Sequence, residues 1–357
     1  MRIVITGASG NIGTALLRRL GNESAEHQIV GICRRPPEPI APYDHVDWVR
    51  LDLADPAAED ILAPAMAGAD AVVHLAWGFQ PSHDTNYLER LGVGGTRAVL
   101  GAADRASVKH FVHMSSVGTY TPGPDGRRVD ESWPTDGIPS LAYSRHKAAA
   151  ERLLDAHATS KPDGIRIARM RPAFVLQRDA GSALLRYGVP GFIPARAVAL
   201  LPVLPVDRRL VVQGVHPDDV ADAVLRVLQR QSTGAFNLAA EPLLTRDDFA
   251  RVLRAVPMHL PAAILRALAS LAWHARLQPL DPGWIDLAFA VPLMDTGRAR
   301  EELDWRPTVD ARSALAQAVA GMVEAAGTAS PALRPRSVAD QFRRLLRRGP
   351  VGSRKLP

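Results

Sequence analysis

Short apolar runs alternate with longer amphipathic stretches through the first half of the chain. Runs rich in β-branched residues predict buried strands, and apolar residues spaced three and four apart predict helices. The predicted strands lie at residues 2–6, 28–33, 46–50, 71–75, 110–115 and 165–171. The predicted helices lie at residues 11–20, 56–66, 84–106 and 142–158. This alternation predicts an α/β fold with a doubly wound parallel sheet, covered by helices on both faces.

Beyond about Phe174 the alternation breaks down. A segment at 188–206 is rich in proline and apolar residues, and helical patterns with one further strand follow it. The helical patterns lie at 217–229, 245–256 and 260–278, and the strand lies near 236–238. These pieces predict a smaller, mostly helical C-terminal lobe. We expect that lobe to close over the carboxyl ends of the strands, where open parallel sheets bind ligands.

A glycine-rich turn joins the first predicted strand to the first predicted helix. Gly7 permits the tight turn, Gly10 lets the backbone approach a pyrophosphate, and Gly13 allows the helix to pack closely on the strand. The amides of the first helical turn are then free to bind phosphate groups. The turn therefore predicts a dinucleotide site. Its predicted members are Gly7, Ser9, Gly10, Asn11, Ile12 and Gly13.

A tyrosine and a lysine lie four residues apart in the helix predicted at 142–158. They are Tyr143 and Lys147, in a chain that has five tyrosines and only four lysines. The spacing places both side chains on one face of a helix. An ammonium beside a phenol favours the phenolate, so we expect Lys147 to lower the pKa of Tyr143 from about 10. A phenol of that kind can exchange a proton with a carbonyl or hydroxyl oxygen.

Composition limits the class of protein further. The chain has 357 residues, 47% of them hydrophobic, which is enough for a large core in one extended domain or two lobes. The single cysteine, Cys33, excludes an internal disulfide and a cysteine-cluster metal site, and it fits a reducing cytoplasm. We expect no signal peptide, because the first predicted strand begins at residue 2, and no apolar run is long enough to span a bilayer. No histidine and acid cluster has the spacing of metal ligands, so no metal is expected.

The formal net charge of +6 comes from the C-terminal end. Residues 331–357 carry eight basic groups and one acid, whereas the rest of the chain carries 35 basic and 36 acidic groups. The body is therefore neutral and offers no sign of nucleic-acid binding. For the basic tail we favour a solvated or partly docked terminus over contact with an anionic membrane surface.

Further motifs follow one another in a recognisable order. They are Asp52-Leu53, His74-Leu75-Ala76, a strand that ends in Ser115-Ser116, the Tyr143 and Lys147 pair, Arg171-Pro172, residues 215–221 and residues 294–307. Together with the glycine turn, they make the chain resemble the extended short-chain dehydrogenases/reductases of the NAD-dependent epimerase/dehydratase type. The resemblance extends over about residues 1–320.

The resemblance implies a domain organisation and roles for individual residues. It implies a Rossmann-type domain at 1–175 with return segments near 207–240 and a substrate lobe at 176–206 and 241–325. The charge distribution adds a basic tail at 326–357. The resemblance also implies a homodimer. In such enzymes the residue matching Tyr143 is the acid/base, Lys147 also holds the nicotinamide ribose, and Ser116 polarises the substrate oxygen. The implied cofactor contacts beyond the glycine turn are Asp52, Leu53, Leu75, Ala76, Lys147 and Pro172.

The end of the second predicted strand bears on the choice of dinucleotide. NAD enzymes usually carry an acid there that binds the ribose 2′-hydroxyl. Here the sequence places Arg34 and Arg35 before Pro36, with no acid. Because a planar guanidinium binds phosphate through two parallel hydrogen bonds, these arginines predict NADP in preference to NAD, with Arg34 the better candidate.

Departures from the family pattern bear on the substrate. Val117 and Gly118 stand where dehydratases carry Asp-Glu, and Val212 stands where nucleotide-sugar enzymes commonly carry an arginine for the diphosphate. Gly92 replaces an asparagine. The predicted lobe is apolar around Phe192, Ile193, Leu200, Leu201, Val203 and Leu204. A charged diphosphate is costly to bury there without paired arginines, so a lipophilic ketone or alcohol fits better.

Three functions remain open at this point. The first is an NADP(H)-dependent oxidoreductase that acts on a hydrophobic carbonyl or hydroxyl compound. The second is an NAD-dependent sugar or nucleotide-sugar epimerase, which differs because its nicotinamide is not consumed. The third is a non-catalytic dinucleotide-binding sensor, against which the complete set of Ser116, Tyr143 and Lys147 argues.

Overall fold

The computed structural model describes residues 1–24, 26–78, 84–124, 126–188, 195–196, 202–275 and 280–335. The strands are β1 (Arg2–Thr6), β2 (Gln28–Cys33), β3 (Val46–Arg50), β4 (Ala71–His74), β5 (His110–Met114), β6 (Arg128–Val129), β7 (Arg166–Pro172), β8 (Phe174–Val175), β9 (Val203–Val206), β10 (Val211–Val215), β11 (Gly234–Leu238), β12 (Ala240–Thr245), β13 (Val256–His259) and β14 (Leu293–Met294). The helices are α1 (Asn11–Gly21), α2 (Ala58–Ala65), α3 (Thr85–Glu89), α4 (Gly95–Arg105), α5 (Ala142–Ser160), α6 (Gly181–Gly188), α7 (Pro217–Arg230), α8 (Arg246–Leu253), α9 (Ala262–His274), α10 (Gly283–Ala290), α11 (Gly297–Leu303) and α12 (Ala311–Val323).

Seven strands form one parallel sheet in the order β11-β7-β5-β4-β1-β2-β3. The β1 strand is buried on both faces because its side chains alternate between two cores. Ile3 and Ile5 face a core shared with α1 and α7, whereas Val4 faces one shared with α2 and α4. The predicted α/β fold with a doubly wound parallel sheet is confirmed, and all seven strands of this sheet were predicted.

The strand order reverses between β1 and β4, which are neighbours in the sheet. The connections from these two strands lead away in opposite directions, so a crevice opens at their carboxyl ends. The glycine turn after β1 and the His74-Leu75-Ala76 segment after β4 both enter that crevice. The topology thereby places the predicted site at one edge of the sheet.

The single helix predicted at 84–106 is interrupted. A π-helical turn at Arg90–Gly94 separates α3 from α4. Single-turn π segments often occur at functional sites because they redirect side chains. Here the turn contains Gly92, which lies beside the active-site residues described below.

The C-terminal part contains more sheet than predicted. Helices α8 and α9 match the patterns at 245–256 and 260–278, but three small sheets accompany them, in the orders β12-β10-β8, β13-β9 and β14-β6. These strands have two to six residues, too short for a reliable alternation pattern. The part of the chain that the structure describes includes no helix with the length and apolarity needed to cross a membrane. The predicted domain boundaries stay predictions.

The first residues of the predicted basic tail, 326–335, pack against the rest of the described structure. Ser330 is fully buried and its hydroxyl donates to the carbonyl of Ser9 in the glycine turn. Leu333 is buried against Ala180 and Ala183. Residues 326–335 therefore belong to the folded body, and the rest of the predicted tail, 336–357, lies outside the described residues.

Candidate active site

The glycine turn has the backbone geometry that a dinucleotide requires. Gly7 has φ +71°, and a Cβ there would lie 2.7 Å from the amide nitrogen of Ala76. A Cβ on Gly13 would lie 2.4 Å from the Gly7 carbonyl oxygen. The close approach predicted for Gly13 is therefore to the turn itself rather than to the strand. Helix α1 begins after Gly10 with no side chain capping it and no acid in its first turn, so the chemistry of this end fits a pyrophosphate.

Several predicted cofactor residues lie around this turn. The Leu75 amide donates to the Thr6 carbonyl at 3.0 Å, which holds the segment after β4 beside Gly7. Ser9 is buried, and Asn11 accepts a hydrogen bond from the side chain of Gln177. The structure places these residues at the carboxyl end of β1. Pro172 ends β7, at the same edge of the sheet.

A second cluster forms at the predicted adenosine end. Arg34 donates from Nη1 to the hydroxyl of Tyr87 at 3.0 Å, and that hydroxyl donates to Asp52 Oδ2 at 3.0 Å. Burial raises the pKa of Tyr87 to about 12, with the Arg34 charge acting in the opposite direction. The phenol therefore stays protonated at neutral pH and links a cation to an acid. Arg35 and Leu53 adjoin this cluster in sequence.

Ser116 and Tyr143 come together at the carboxyl end of β5. The Ser116 and Tyr143 side chains are hydrogen bonded, and the Ser116 hydroxyl also accepts from the Gly118 amide at 3.0 Å. Gly118 allows the approach, since a Cβ there would lie only 3.2 Å from Cε1 of Tyr143. The structure thus brings together two of the three predicted catalytic side chains directly.

Lys147 is buried one turn along α5. Its ammonium donates to the Met114 carbonyl at 2.6 Å, and Nζ lies 3.6 Å from the centroid of the Trp77 ring. Burial lowers the pKa of Lys147 to about 7, although the Glu151 carboxylate acts in the opposite direction. A lysine in this state can gain or lose a proton near neutrality.

The prediction that the pKa of Tyr143 is lowered is wrong for this structure. Burial raises the pKa of Tyr143 to about 12, and the hydrogen bond with Ser116 only partly offsets the rise. Helical spacing brought the phenol and the ammonium to one face, but burial of the phenol outweighs any attraction of its charged form to Lys147. The phenol is therefore poised as a proton donor.

Arg171, which precedes Pro172, has a structural partner. Its Nε donates to Glu151 at 2.9 Å and its Nη1 donates to the Tyr120 hydroxyl at 2.8 Å. Burial alone would raise the pKa of Glu151, but the hydrogen bonds from Arg171 lower it, so the pair stays ionised. This buried ion pair fastens α5 to β7 beneath Lys147 and is not available to a ligand.

The comparisons with known proteins agree with this geometry. Residues 3–239 match the model of the NAD dependent epimerase/dehydratase family. The chain belongs to this family. An uncharacterised protein of Mycobacterium tuberculosis is 28% identical over 320 residues, which is 88% of this chain and 29% of the relative. This epimerase/dehydratase family chain therefore spans under a third of the length of that relative.

Two further matches are a partial relative and a solved structure of similar fold. The decarboxylating sterol-4-alpha-carboxylate 3-dehydrogenase of Candida albicans is 28% identical over 178 residues, 48% of this chain and 49% of the relative. The UDP-glucose 4-epimerase of Thermus thermophilus, solved in complex with NAD, has a TM-score of 0.64 at 20% identity. That similarity covers 90% of this chain and 99% of the epimerase and shows a shared fold.

In this family member an apolar cluster packs around Tyr143. Trp284, at the start of α10, lies with its ring centroid 5.1 Å from that of Tyr143, and the ring planes differ by 32°. The backbone of α10 can approach because a Cβ on Gly283 would lie 2.7 Å from the Ser140 carbonyl oxygen. The other members of the cluster are Ile138, Leu141, Phe174, Leu287, Ala290 and Val291.

Sequence reasoning missed three aromatic residues of the site. Tyr87, Trp77 and Trp284 contact predicted site residues, yet each lies in a segment with no motif of its own. For Trp77 a signal did exist, since it follows His74-Leu75-Ala76 directly. Among the residues that the structure describes, no group of acids, histidines or cysteines is placed to hold a metal ion.

Proposed function

We propose that this protein is an NADP(H)-dependent oxidoreductase that acts on a carbonyl or hydroxyl carbon of a small hydrophobic substrate. The observation that carries the proposal is the surroundings of Tyr143. The phenol is hydrogen bonded to Ser116 and is packed against Trp284 within an apolar cluster. A proton donor in such surroundings favours a substrate without charge near its reacting carbon.

The choice of NADP rests on the end of β2. Arg34 and Arg35 follow Cys33, and no acid stands where a ribose 2′-hydroxyl would be recognised. Arg34 is held in place by the Tyr87 hydroxyl at 3.0 Å. A 2′-phosphate suits a guanidinium fixed in this way because charge-assisted bonds to phosphate are strong.

The choice of a hydrophobic substrate has a second support in β10. Val212 stands at the position where nucleotide-sugar enzymes commonly carry an arginine, and here it is buried against Leu244 and Leu315. A nucleotide diphosphate would meet an apolar surface at this point. The predicted lobe residues Phe192, Ile193, Leu200 and Leu201 lie outside the described residues, whereas Val203 and Leu204 belong to β9.

Each residue of the site has a separate role in the proposed reaction. When bound, the nicotinamide supplies or accepts the hydride. Tyr143 exchanges the proton with the substrate oxygen, and the Ser116 hydroxyl orients that phenol. Lys147 holds the ribose and, with a pKa of about 7, can gain or lose a proton near neutrality. The first-turn amides of α1 bind the pyrophosphate.

A fluorescence titration of the purified protein with NADPH and with NADH tests the cofactor assignment. We expect NADPH to bind more tightly than NADH. We expect Arg34→Ala to weaken NADPH binding at least about tenfold and to leave NADH binding unchanged. Arg35→Ala makes the same charge change one residue away and is the matched control, with a smaller expected effect. If the protein retains NAD(H) tightly through purification, and the Arg34→Ala variant retains it equally well, the NADP assignment is overturned and the epimerase is favoured.

Turnover tests the chemistry. We expect NADPH consumption with lipophilic ketones, and its loss in Tyr143→Phe with NADPH binding intact, because the substitution removes only the phenolic hydroxyl. A Tyr143→Phe variant that turns over at the wild-type rate would refute the assigned acid/base. From the resemblance we also infer a homodimer. From the single cysteine, the residue spacing and the charge distribution we infer a cytoplasmic protein that uses no metal and binds no nucleic acid. Sedimentation of the full chain tests the oligomeric state.

A further inference from the structure

The Trp77 indole covers the ammonium of Lys147. Nζ lies 3.6 Å from the centroid of the ring, well inside the range in which a cation is attracted to an aromatic face. Lys147 is 3% exposed, so little water competes for its N–H groups. A desolvated cation gains more from such a face than an exposed one does.

The position of Trp77 depends on a glycine in another element. A Cβ on Gly92 would lie 3.0 Å from Cη2 and from Cζ2 of the indole. A side chain at this position would force the indole to shift from its place over Lys147, because the contacting atoms belong to a rigid bicyclic ring. Gly92 lies in the π-helical turn, and its carbonyl is fixed by the Thr96 hydroxyl at 2.7 Å.

Trp77 also contacts the other half of the catalytic pair. Its ring meets the ring of Tyr143 edge-on, with centroids 6.4 Å apart and planes at 85°. The indole therefore touches both the ammonium and the phenol. A change in its position alters the surroundings of both groups together.

We propose that Trp77 is a positioning residue for Lys147 and that Gly92 is the position that admits it. The Met114 carbonyl takes one N–H of the ammonium and the indole face takes a second. One N–H then remains for the ribose of the dinucleotide, so the direction of the ammonium is set before the ligand arrives. The identity of this third partner rests on the proposed function.

The contact can be tested without any assay of activity. The chain has only four lysines, so a carbon–proton spectrum of protein labelled with ¹³C at the lysine ε-carbon gives few peaks. Lys147→Arg assigns the peak of Lys147. We expect that peak to lie upfield of the others, because the ε-carbon is bonded to the nitrogen that lies over the Trp77 ring, and to return toward them in Trp77→Leu. Trp48→Phe changes a tryptophan that packs on Tyr43 and is the control. A Lys147 peak that Trp77→Leu does not move would overturn the proposal.

Turnover and cofactor binding then test the consequence. We expect Trp77→Leu to lower kcat about tenfold with the melting temperature little changed, and Trp77→Phe, which keeps an aromatic face, to restore most of it. Gly92→Asn should act in the same way by displacing the indole. Because both changes break one contact, the double variant should be no worse than either single one. The positioning role would be refuted if the losses of kcat in the two single variants multiplied in the double variant. It would also be refuted if Trp77→Leu turned over at the wild-type rate.

The two proposals fail separately. If no ketone is reduced, the lysine spectrum still reports whether the indole covers Lys147. If the spectrum shows no contact while NADPH is consumed, the oxidoreductase assignment stands and the role of Trp77 falls.

Discussion

Two buried histidines on adjacent strands differ in their hydrogen bonds and offer a matched experiment. His74 and His113 are register partners in β4 and β5, and their rings lie 5.4 Å apart. His74 bonds to the hydroxyls of Thr6 at 2.7 Å and Thr96 at 3.0 Å. Neither ring nitrogen of His113 has a hydrogen-bond partner among the described residues. We expect leucine at the two positions to have opposite effects on stability at pH 7.

The magnitude follows from the polar groups that each substitution leaves buried. His113→Leu removes two unpaired nitrogens and should raise the free energy of unfolding by about 1–2 kcal/mol. His74→Leu deprives two buried hydroxyls of a partner and should lower it by about 1–3 kcal/mol. Leucine is used at both positions because it is close to histidine in size and carries no polar atom.

The dependence on pH should change in the same direction for both variants. Burial lowers the pKa of His74 to about 3, and burial with the charge of Lys147 lowers that of His113 well below its ordinary value. Below about pH 6.5 the unfolded chain binds protons that these folded rings refuse, so stability falls as pH falls. Between pH 7 and pH 5, each ring that stays neutral contributes a loss of about 2 kcal/mol.

Urea unfolding at pH 7 and pH 5 checks both parts. Each leucine variant should lose about 2 kcal/mol less than the wild type between the two pH values. Contributions from the other histidines whose pKa values burial lowers, which are His27, His110 and His146, are common to all three proteins and cancel in the comparison. The reasoning is refuted if His113→Leu destabilises the protein at pH 7 or keeps the wild-type dependence on pH.

Three further predictions concern the fold around the site. Gly13→Ala should abolish dinucleotide binding because its Cβ would lie 2.4 Å from a backbone oxygen, whereas Gly94→Ala meets nothing nearer than 4.0 Å and should leave titrations unchanged. Glu151→Gln should lower the free energy of unfolding by about 3–5 kcal/mol, because it leaves the Arg171 charge buried without its carboxylate partner. A urea unfolding midpoint equal to that of the wild type would contradict this prediction. Ser330→Ala removes the hydrogen bond to the glycine turn, so it should lower the free energy of unfolding by about 1–2 kcal/mol and weaken NADPH binding. An unchanged melting temperature and an unchanged NADPH titration would show that the contact is dispensable.

Sequence patterns determined the central sheet and the dinucleotide turn. The strands β1, β4 and β5 are buried by helices on both faces, so their apolar residues stand next to one another rather than alternating with polar ones. The glycines at 7 and 13 are required by backbone geometry that no other residue tolerates without movement. The i, i+4 spacing of Tyr143 and Lys147 follows from helix periodicity alone. Each of these features is local, which is why the sequence is sufficient to find it.

The tertiary structure alone decided what surrounds those residues. The pKa of Tyr143 rises rather than falls because burial depends on how α10 packs on it, and no spacing within α5 encodes that. The contact of Trp77 with Lys147 joins the segment after β4 to α5, and Ser330 reaches Ser9 across 321 residues of sequence. Periodicity records which face of an element is apolar. It does not record which distant side chain will pack against that face. Desolvation, which sets the protonation of a buried group, depends on that packing.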